Sequence, residues 1–181
     1  MQVDLYSEEE ILEGCRKNKR RYQEILYRKY ARKMYGICMS YAGNRDIAQD
    51  ILQDSFIKVF KKIKHFKREG SLEGWIRKII GNTAIDHLRK ETREHSYITD
   101  KEEIEEAVYE PDAIEQLKTQ DVLELVAQLP DGARMIFNLY AVEGFTHKEI
   151  AAKMNISVGT SKSQFSRARK MLMHLINKHS A

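Results

Sequence analysis

Helix-breaking residues are scarce in this chain, and their scarcity limits what it can fold into. Its 181 residues include only two prolines and nine glycines. Apolar side chains recur every three or four residues through most of the sequence, which is the spacing of one helical face. Hydrophobic residues make up 42% of the chain, enough for a packed core. No stretch has the pattern of a strand, so we expect an all-α fold.

Local signals predict where these helices begin and end. Ser7 and Glu10 form a capping box that opens the first helix. Gly43-Asn44 separates a second helix from a third, and Ser71 caps a fourth. Periodicity then weakens and returns near Val122. Beyond that point the pattern predicts helices over about 131–142, 147–154 and 158–177.

The charges are segregated along the chain. Residues 94–125 contain eleven acidic and two basic side chains, while residues 58–93 and 126–181 carry net charges of +7 and +5. We therefore expect two small helical domains, 1–95 and 116–181, joined by an acidic linker over 96–115. Basic blocks of this size favour a polyanionic partner such as nucleic acid over a merely solvated surface.

Several classes of protein are disfavoured by composition. No apolar run approaches the roughly 20 residues of a membrane span, and the N-terminus lacks the pattern of a signal peptide. We therefore expect a cytoplasmic protein without membrane insertion. Cys15 and Cys38 are isolated in the sequence, which argues against a disulfide or a zinc site. We expect no cofactor, no metal and no catalytic residues.

Residues 145–170 have the spacing of a helix-turn-helix. Thr146 and Glu149 form a second capping box, Asn155-Ile156 make a turn, and Ser157 can cap the next helix. Such a motif places the N-terminal part of its second helix in the major groove. A helical hairpin with a basic outer face is the alternative. The polar residues at the groove-facing end are Thr160, Ser161, Lys162, Ser163, Gln164, Ser166 and Arg167.

Acidic side chains share one face of the third helix. Asp46, Asp50 and Asp54 are four residues apart, with Gln53 beside them. Carboxylates in this arrangement could serve metal or acid–base chemistry, but no second set of ligands is visible. A solvated face and a docking surface for a basic protein are the other two interpretations.

The fourth helix carries a polar stripe at helical spacing, formed by Lys78, Asn82, Asp86 and Arg89. Amide and basic groups of this kind can contact bases and phosphates. For Asp86 the alternative is an ion pair with Arg89 or Lys90. The neighbouring indole of Trp75 fits the core better than a role as a stacking wedge.

The C-terminal segment resembles the promoter-binding domain of sigma-70 family transcription initiation factors. The resemblance rests on "LPDGARMIFNLYAVEGFTHKEIAAKMNISVGTSKSQFSRARKML", which begins at Leu129. It implies that the second helix of the motif contacts the minus-thirty-five promoter element. The residues that correspond by position are Thr160, Lys162, Ser163, Ser166 and Arg167.

The N-terminal segment resembles the same family. "DIAQDILQDSFIKVFKKI" is similar to the helix that binds the polymerase β′ clamp, which implies contacts from Asp50, Gln53, Asp54 and Phe56. The stretch from Trp75 to Arg89 resembles the helix that opens the minus-ten element and captures unpaired bases. This resemblance assigns Asn82 to the pocket for a flipped-out base, with Lys78, Asp86 and Arg89 nearby.

Because the region between the two segments lacks the extra middle domain of larger sigma factors, the chain resembles the compact extracytoplasmic-function (ECF) group. The expected partners are core RNA polymerase, through its β′ clamp and β flap, and promoter DNA. Many ECF factors are held inactive by an anti-sigma factor, although no motif here identifies one. A stand-alone helix-turn-helix regulator remains the main alternative, and a metal-dependent nucleic-acid enzyme using the Asp face is a remote one.

Overall fold

The computed structural model describes residues 6–94 and 125–179, and these ranges contain helices and turns but no strand. The predicted linker over 96–115, and residues 116–124 of the predicted second domain, lie outside the described residues. The all-α prediction is confirmed for the residues described. The helices are α1 (Glu8–Arg16), α2 (Arg20–Ala42), α3 (Arg45–Lys62), α4 (Leu72–Glu94), α5 (Asp131–Phe137), α6 (His147–Met154) and α7 (Val158–His179).

Helices α1 to α4 form the N-terminal unit, residues 6–94. The predicted capping box is present at α1, where Ser7 and Glu10 bond reciprocally. Gly43 ends α2 in the left-handed conformation (φ 67°), and the Asn44 side chain accepts from two amides at the start of α3. Trp75 is half-buried against Phe66, with ring centroids 5.2 Å apart, so its predicted place in the core is confirmed.

The C-terminal unit, residues 125–179, contains α5, a π-helical segment (Asn138–Val142), α6 and α7. Its own apolar cluster joins α5 to one face of α7. The buried members of this cluster are Leu125, Val126, Leu129, Ala133, Ala168, Leu172 and Ile176. None of the described helices has the length and apolar character needed to cross a membrane.

The two units share a second apolar cluster. The prediction of two domains joined by a linker did not include such a contact. Met135, Ile136 and Leu139 of the C-terminal unit are buried together with the core of α1 to α4. Ile150 and Met154 of α6 join the same cluster. The helix-turn-helix is thereby positioned against the N-terminal unit.

Candidate functional site

The predicted helix-turn-helix is formed by α6 and α7. The Thr146 hydroxyl accepts from the Glu149 amide, and the Glu149 carboxylate accepts from the Thr146 amide, so the capping box is confirmed. Asn155 ends α6 in the left-handed region (φ 55°, ψ 47°). The Ser157 hydroxyl then accepts from the Thr160 amide at 2.9 Å and caps α7, as predicted.

The outer face near the start of α7 presents two exposed cations, Lys162 and Arg167. Thr160, Ser163 and Ser166 lie beside them and are half-buried. The Ser163 hydroxyl donates to the Thr160 carbonyl at 3.1 Å. This face could contact phosphates through the cations and base edges through the smaller polar groups.

Ser161 faces the opposite way from this surface. Its side chain is fully buried, and its hydroxyl lies 2.9 Å from Nδ1 of His147, so the predicted groove-facing position of Ser161 is wrong. The His147 ring stacks on Tyr140 with centroids 4.3 Å apart. Burial lowers the pKa of His147, and the nearby Lys162 ammonium lowers it further. The contact between Ser161 and His147 thus joins α7 to the start of α6.

The polar stripe on α4 has different partners from those expected. Asp86 is exposed and pairs with Lys58 of α3 at 3.0 Å, so the structure places its ion pair across two helices and not along α4. Asn82 is half-buried, and its Oδ1 accepts from the Lys153 ammonium at 3.0 Å. Lys78 is exposed and Arg89 is half-buried.

The acidic face of α3 is exposed at Asp50, Gln53 and Asp54. Asp54 lies 2.9 Å from Nε2 of His87, which ties this face to α4. Phe56 is 2% exposed, so its side chain belongs to the core and is not available to a partner. Ile57 is 51% exposed and stands four residues after Gln53 on the same face.

The Asp residues of α3 do not converge with other ligands. Within residues 6–94 and 125–179, no group of three or more His, Cys, Asp or Glu side chains could hold a metal ion. In the part of the chain that the structure describes, the acidic face of α3 therefore lacks the geometry of a metal centre.

The sequence did not predict the roles of three residues at or beneath these surfaces. Arg134 is 5% exposed and bonds to backbone carbonyls of both units. Lys153 covers Asn82, and His147 supports α7. The one available signal was the placement of Arg134 and Asn138, four residues apart, among the apolar residues of α5 and of the π-helical segment that follows it.

Family models identify both units. The model of Sigma-70 region 2 matches residues 26–94, and that of Sigma-70 region 4 matches residues 119–172. The first range contains the acidic face of α3 and the polar stripe of α4, and the second contains the helix-turn-helix. The chain belongs to the sigma-70 family, and its relatives place it in the ECF group.

Curated relatives extend this similarity over most of the chain. It is 27% identical to the RNA polymerase sigma-H factor of Pseudomonas aeruginosa over 91% of each chain. It is 29% identical to the ECF sigma factor SigM of Bacillus subtilis, covering 84% of this chain and 94% of that one. The ECF sigma factor SigE of Mycolicibacterium smegmatis is 26% identical over 86% of this chain, which spans 62% of that relative's length.

A solved structure is also similar. The sigma factor RpoE of Bartonella quintana, in complex with the anti-sigma factor NepR, is 25% identical, with a TM-score of 0.48. The alignment covers 85% of this chain and 96% of that one.

Proposed function

We propose that this ECF sigma factor binds core RNA polymerase and directs it to promoters by using three separate surfaces. These surfaces are the acidic face of α3, the polar stripe of α4 and the outer face of α7. RNA synthesis itself is the work of the polymerase in this proposal, and the factor acts beside it in the cytoplasm without catalytic residues or a cofactor.

The observation that carries the proposal is the helix-turn-helix with its exposed polar face. The turn at Asn155 and the cap at Ser157 separate α6 from α7 as in a helix-turn-helix, a motif whose second helix enters the major groove. Lys162 and Arg167 are exposed in the first half of α7, and Thr160, Ser163 and Ser166 beside them are half-buried. These residues are the proposed contacts to the minus-thirty-five element.

The stripe on α4 supports capture of unpaired bases in the minus-ten element. Asn82 offers both amide donors and an acceptor to a base edge once Lys153 has left it. Lys78 and Arg89 supply positive charge on either side, which suits the backbone of a single strand. Asp86 pairs with Lys58 of α3 at 3.0 Å, so its proposed contact with DNA requires that this exposed ion pair open.

The face of α3 supports docking on the polymerase clamp. Asp50 and Asp54 offer negative charge and Gln53 offers hydrogen bonds, all in exposed positions. Ile57 takes the place that sequence reasoning gave to Phe56, because it is the exposed apolar residue of this face. An apolar centre surrounded by polar groups is the usual composition of a protein interface.

The test is transcription by bacterial core RNA polymerase on fragmented genomic DNA, with RNA start sites sequenced. We expect discrete new starts that require the factor. Asn82→Ala and Lys162→Ala should each reduce them strongly. Lys178→Ala, at the far end of α7, is the matched control for loss of an exposed lysine and should leave them unchanged.

If the folded wild-type factor produces no new starts with matched polymerase, the proposal fails. Equal losses in all three variants would also contradict it, because the losses would then not depend on the proposed DNA-facing positions.

A further inference from the structure

Two runs of the N-terminal unit carry basic residues and no acidic ones. The first basic run, residues 16–21, contains five Lys or Arg side chains in six positions. The second basic run, residues 58–68, contains six in eleven positions, together with His65. None of the three surfaces of the proposed function includes either run.

The fold brings the two runs to one end of the N-terminal unit, called here the basic end. A two-residue turn joins α2 to α3, and the rings of Tyr27 and Phe56 meet between them with centroids 4.8 Å apart. The two helices are therefore antiparallel, and the start of α2 lies at the same end as the end of α3. Nη2 of Arg16 donates to the Phe66 carbonyl at 3.0 Å, which joins one run to the other. Contact of the Phe66 ring with Trp75 places the basic end beside the first turn of α4.

Most cations of the basic end have no acidic partner. Three carboxylates, those of Glu9, Glu13 and Asp86, pair with members of the two runs. Within residues 6–94 and 125–179, no ion pair involves the other cations, and all of them are exposed. These are Lys19, Arg20, Arg21, Lys61, Lys62, Lys64 and Lys67. A surface with this excess of one sign of charge attracts a polyanion.

Three of these charges oppose the stability of α2. Lys19 is its N-cap residue, Arg20 and Arg21 are its first two helical residues, and its first turn has no acidic side chain. The N-terminus of a helix carries a partial positive charge, so cations are unfavourable there. The Lys19 side chain also forms no capping hydrogen bond. Because neither the helix nor an ion pair accounts for these charges, they point to a partner outside the chain.

The first basic run is held by a tight turn and lies beside two aromatic rings. The Lys19 amide donates to the Gly14 carbonyl at 2.9 Å, and the Tyr22 ring occupies the space that a Cβ on Gly14 would need. Tyr6 meets Tyr22 edge to face with centroids 5.6 Å apart, and the Arg21 guanidinium lies 5.5 Å above the Tyr6 ring. Both rings are half-buried, so part of each remains accessible. Cations beside accessible aromatic rings are typical of surfaces that bind single-stranded nucleic acid.

We propose that the basic end binds the phosphates of single-stranded promoter DNA, where the strand whose unpaired base Asn82 captures continues past α4. The identity of this strand rests on the proposed function. Asn82 follows Leu72, the first residue of α4, by about 15 Å along the helix axis. A strand with the 3.4 Å spacing of stacked nucleotides covers that distance in about five steps. The basic end therefore receives nucleotides about five positions from the captured base.

The first experiment measures binding of the full chain to fluorescein-labelled oligo(dT) of about 20 nucleotides, by anisotropy over a series of NaCl concentrations. Lys19→Ala/Arg20→Ala should lower the slope of log K against log salt by about 1.4, because each phosphate contact with a single strand contributes about 0.7. Arg32→Ala/Arg45→Ala is the matched control and should keep the wild-type slope. Both control residues are exposed, and Arg45 lies at the opposite end of the α2–α3 pair.

An unchanged slope in Lys19→Ala/Arg20→Ala would overturn the proposal. So would an equal decrease in the control, or the absence of binding by the wild type at low salt. Urea unfolding separates a lost contact from a lost structure: because the replaced charges oppose the dipole of α2, Lys19→Ala/Arg20→Ala should be at least as stable as the wild type.

A second variant covers the case in which Lys19→Ala/Arg20→Ala does not fold. Lys64→Ala/Lys67→Ala removes two exposed cations of the second basic run without altering α2. Its slope should also fall by about 1.4 relative to the wild type. A wild-type slope in this variant would overturn the assignment of both runs to one surface.

Competition separates a DNA strand from other anionic partners. Polyglutamate, and vesicles that contain phosphatidylglycerol, are each added at the same concentration of negative charge as unlabelled oligo(dT). Unlabelled oligo(dT) should displace the labelled strand best, because the other two offer no bases to Tyr6 and Tyr22. Equal or better displacement by polyglutamate or by vesicles would assign the basic end to an acidic protein or to a membrane surface and overturn the proposal.

The last experiment locates the strand in the complex with polymerase. The photo-crosslinking residue p-benzoylphenylalanine replaces Arg20 in the holoenzyme bound to a promoter fragment taken from the mapped start sites. It should crosslink to the unpaired strand about five nucleotides from the base captured by Asn82, and the same replacement of Arg45 should not. Crosslinks to polymerase subunits or to duplex DNA alone would overturn the proposal.

This inference and the proposed function fail separately. Oligo(dT) binding reports on the basic end even if no promoter is recognised. Transcription start sites report on the proposed function even if the basic end binds no DNA.

Discussion

Nε of Arg134 donates a hydrogen bond to the carbonyl oxygen of Tyr41, 93 residues earlier in the chain, at 2.9 Å. The same guanidinium donates to the Leu129 carbonyl within the C-terminal unit at 2.6 Å. A single buried side chain thus serves backbone acceptors in both units, which makes Arg134 the central residue of their contact.

Replacement of Arg134 by methionine should destabilise the protein by about 2–4 kcal/mol, because several buried carbonyls would lose their donor. Urea unfolding followed by circular dichroism measures the change. Arg32→Met is the matched control, since Arg32 is exposed on α2 and its loss should change the free energy of unfolding by less than about 0.5 kcal/mol. Similar values for the two variants would contradict the structural role of Arg134.

Substitutions at Ile57 should weaken polymerase binding in an order set by charge. Ile57 is 51% exposed on a face that carries Asp50 and Asp54, so a complementary partner is basic. Ile57→Lys should raise the Kd for core polymerase more than Ile57→Glu does, and neither should change stability appreciably. Fluorescence anisotropy of labelled protein measures both. The reverse order, or no change in either variant, would argue against docking through this face.

Removal of the Arg167 side chain should reduce the salt dependence of promoter binding. Each phosphate contact contributes about one unit to the slope of log K against log salt. With the holoenzyme and a promoter fragment taken from the mapped start sites, Arg167→Ala should lower that slope by about one. Lys178→Ala should leave the slope unchanged. An unaltered slope in Arg167→Ala would place this residue away from the phosphates.

The two capping boxes should make the stability of the first turns of α1 and α6 decrease at acidic pH. Hydrogen bonds from the amide and hydroxyl of Ser7 hold the pKa of Glu10 below its usual value, and those of Thr146 do the same for Glu149. A carboxylate whose pKa is lower in the folded than in the unfolded protein stabilises the folded state. This stabilisation is complete at pH values above the unfolded pKa of 4.5, and it is lost as the pH falls through the folded pKa.

Glu149→Gln should therefore flatten the fall in stability below about pH 4.5, because glutamine does not titrate. Urea midpoints measured from neutral pH downward test this. Glu69→Gln, at an exposed position outside any helix, is the control and should preserve the wild-type curve. If the urea midpoints of Glu149→Gln follow the same pH dependence as those of the wild type, the capping carboxylate does not contribute to stability.

The two cysteine thiols should be unreactive in the folded protein. Burial raises the pKa of Cys15 to about 11 and that of Cys38 to about 12, and both side chains are fully buried. Because the thiolate is the reactive form, a thiol reagent at neutral pH should modify neither until the protein unfolds. Reaction time courses with and without urea measure this. Rapid modification of either thiol in native buffer would contradict the packing of the N-terminal core.

Local features of the structure could be predicted from the sequence because they depend on residues three or four positions apart. The capping boxes at Ser7 and Thr146 and the turn at Asn155 are of this kind. Periodicity likewise identified the helices, since it records which side chains a helix can bury together. The helix-turn-helix and its exposed Lys162 and Arg167 follow from these local rules.

The candidate surfaces were predicted less completely. The resemblance assigned Phe56 to the docking face, and only packing against Tyr27 and Phe60 shows that its ring is buried. For Asp86 the alternative to a DNA contact was an ion pair along its own helix, with Arg89 or Lys90, but α3 brings Lys58 within 3.0 Å. The spacing of residues in the sequence shows which side chains share a face of one helix. Packing against a neighbouring helix decides which of those faces is buried.

The sequence by itself determined the all-α class, the positions of the helix ends and the helix-turn-helix, because short-range hydrogen bonds and side-chain periodicity specify them. Tertiary structure alone decided that Arg134 and Asn138 cap the last turn of α2 and that Lys153 covers Asn82. These partners are separated by more than 70 residues in the sequence. Their contact arises from burying Met135, Ile136 and Leu139 against the N-terminal core, a preference that no local pattern encodes.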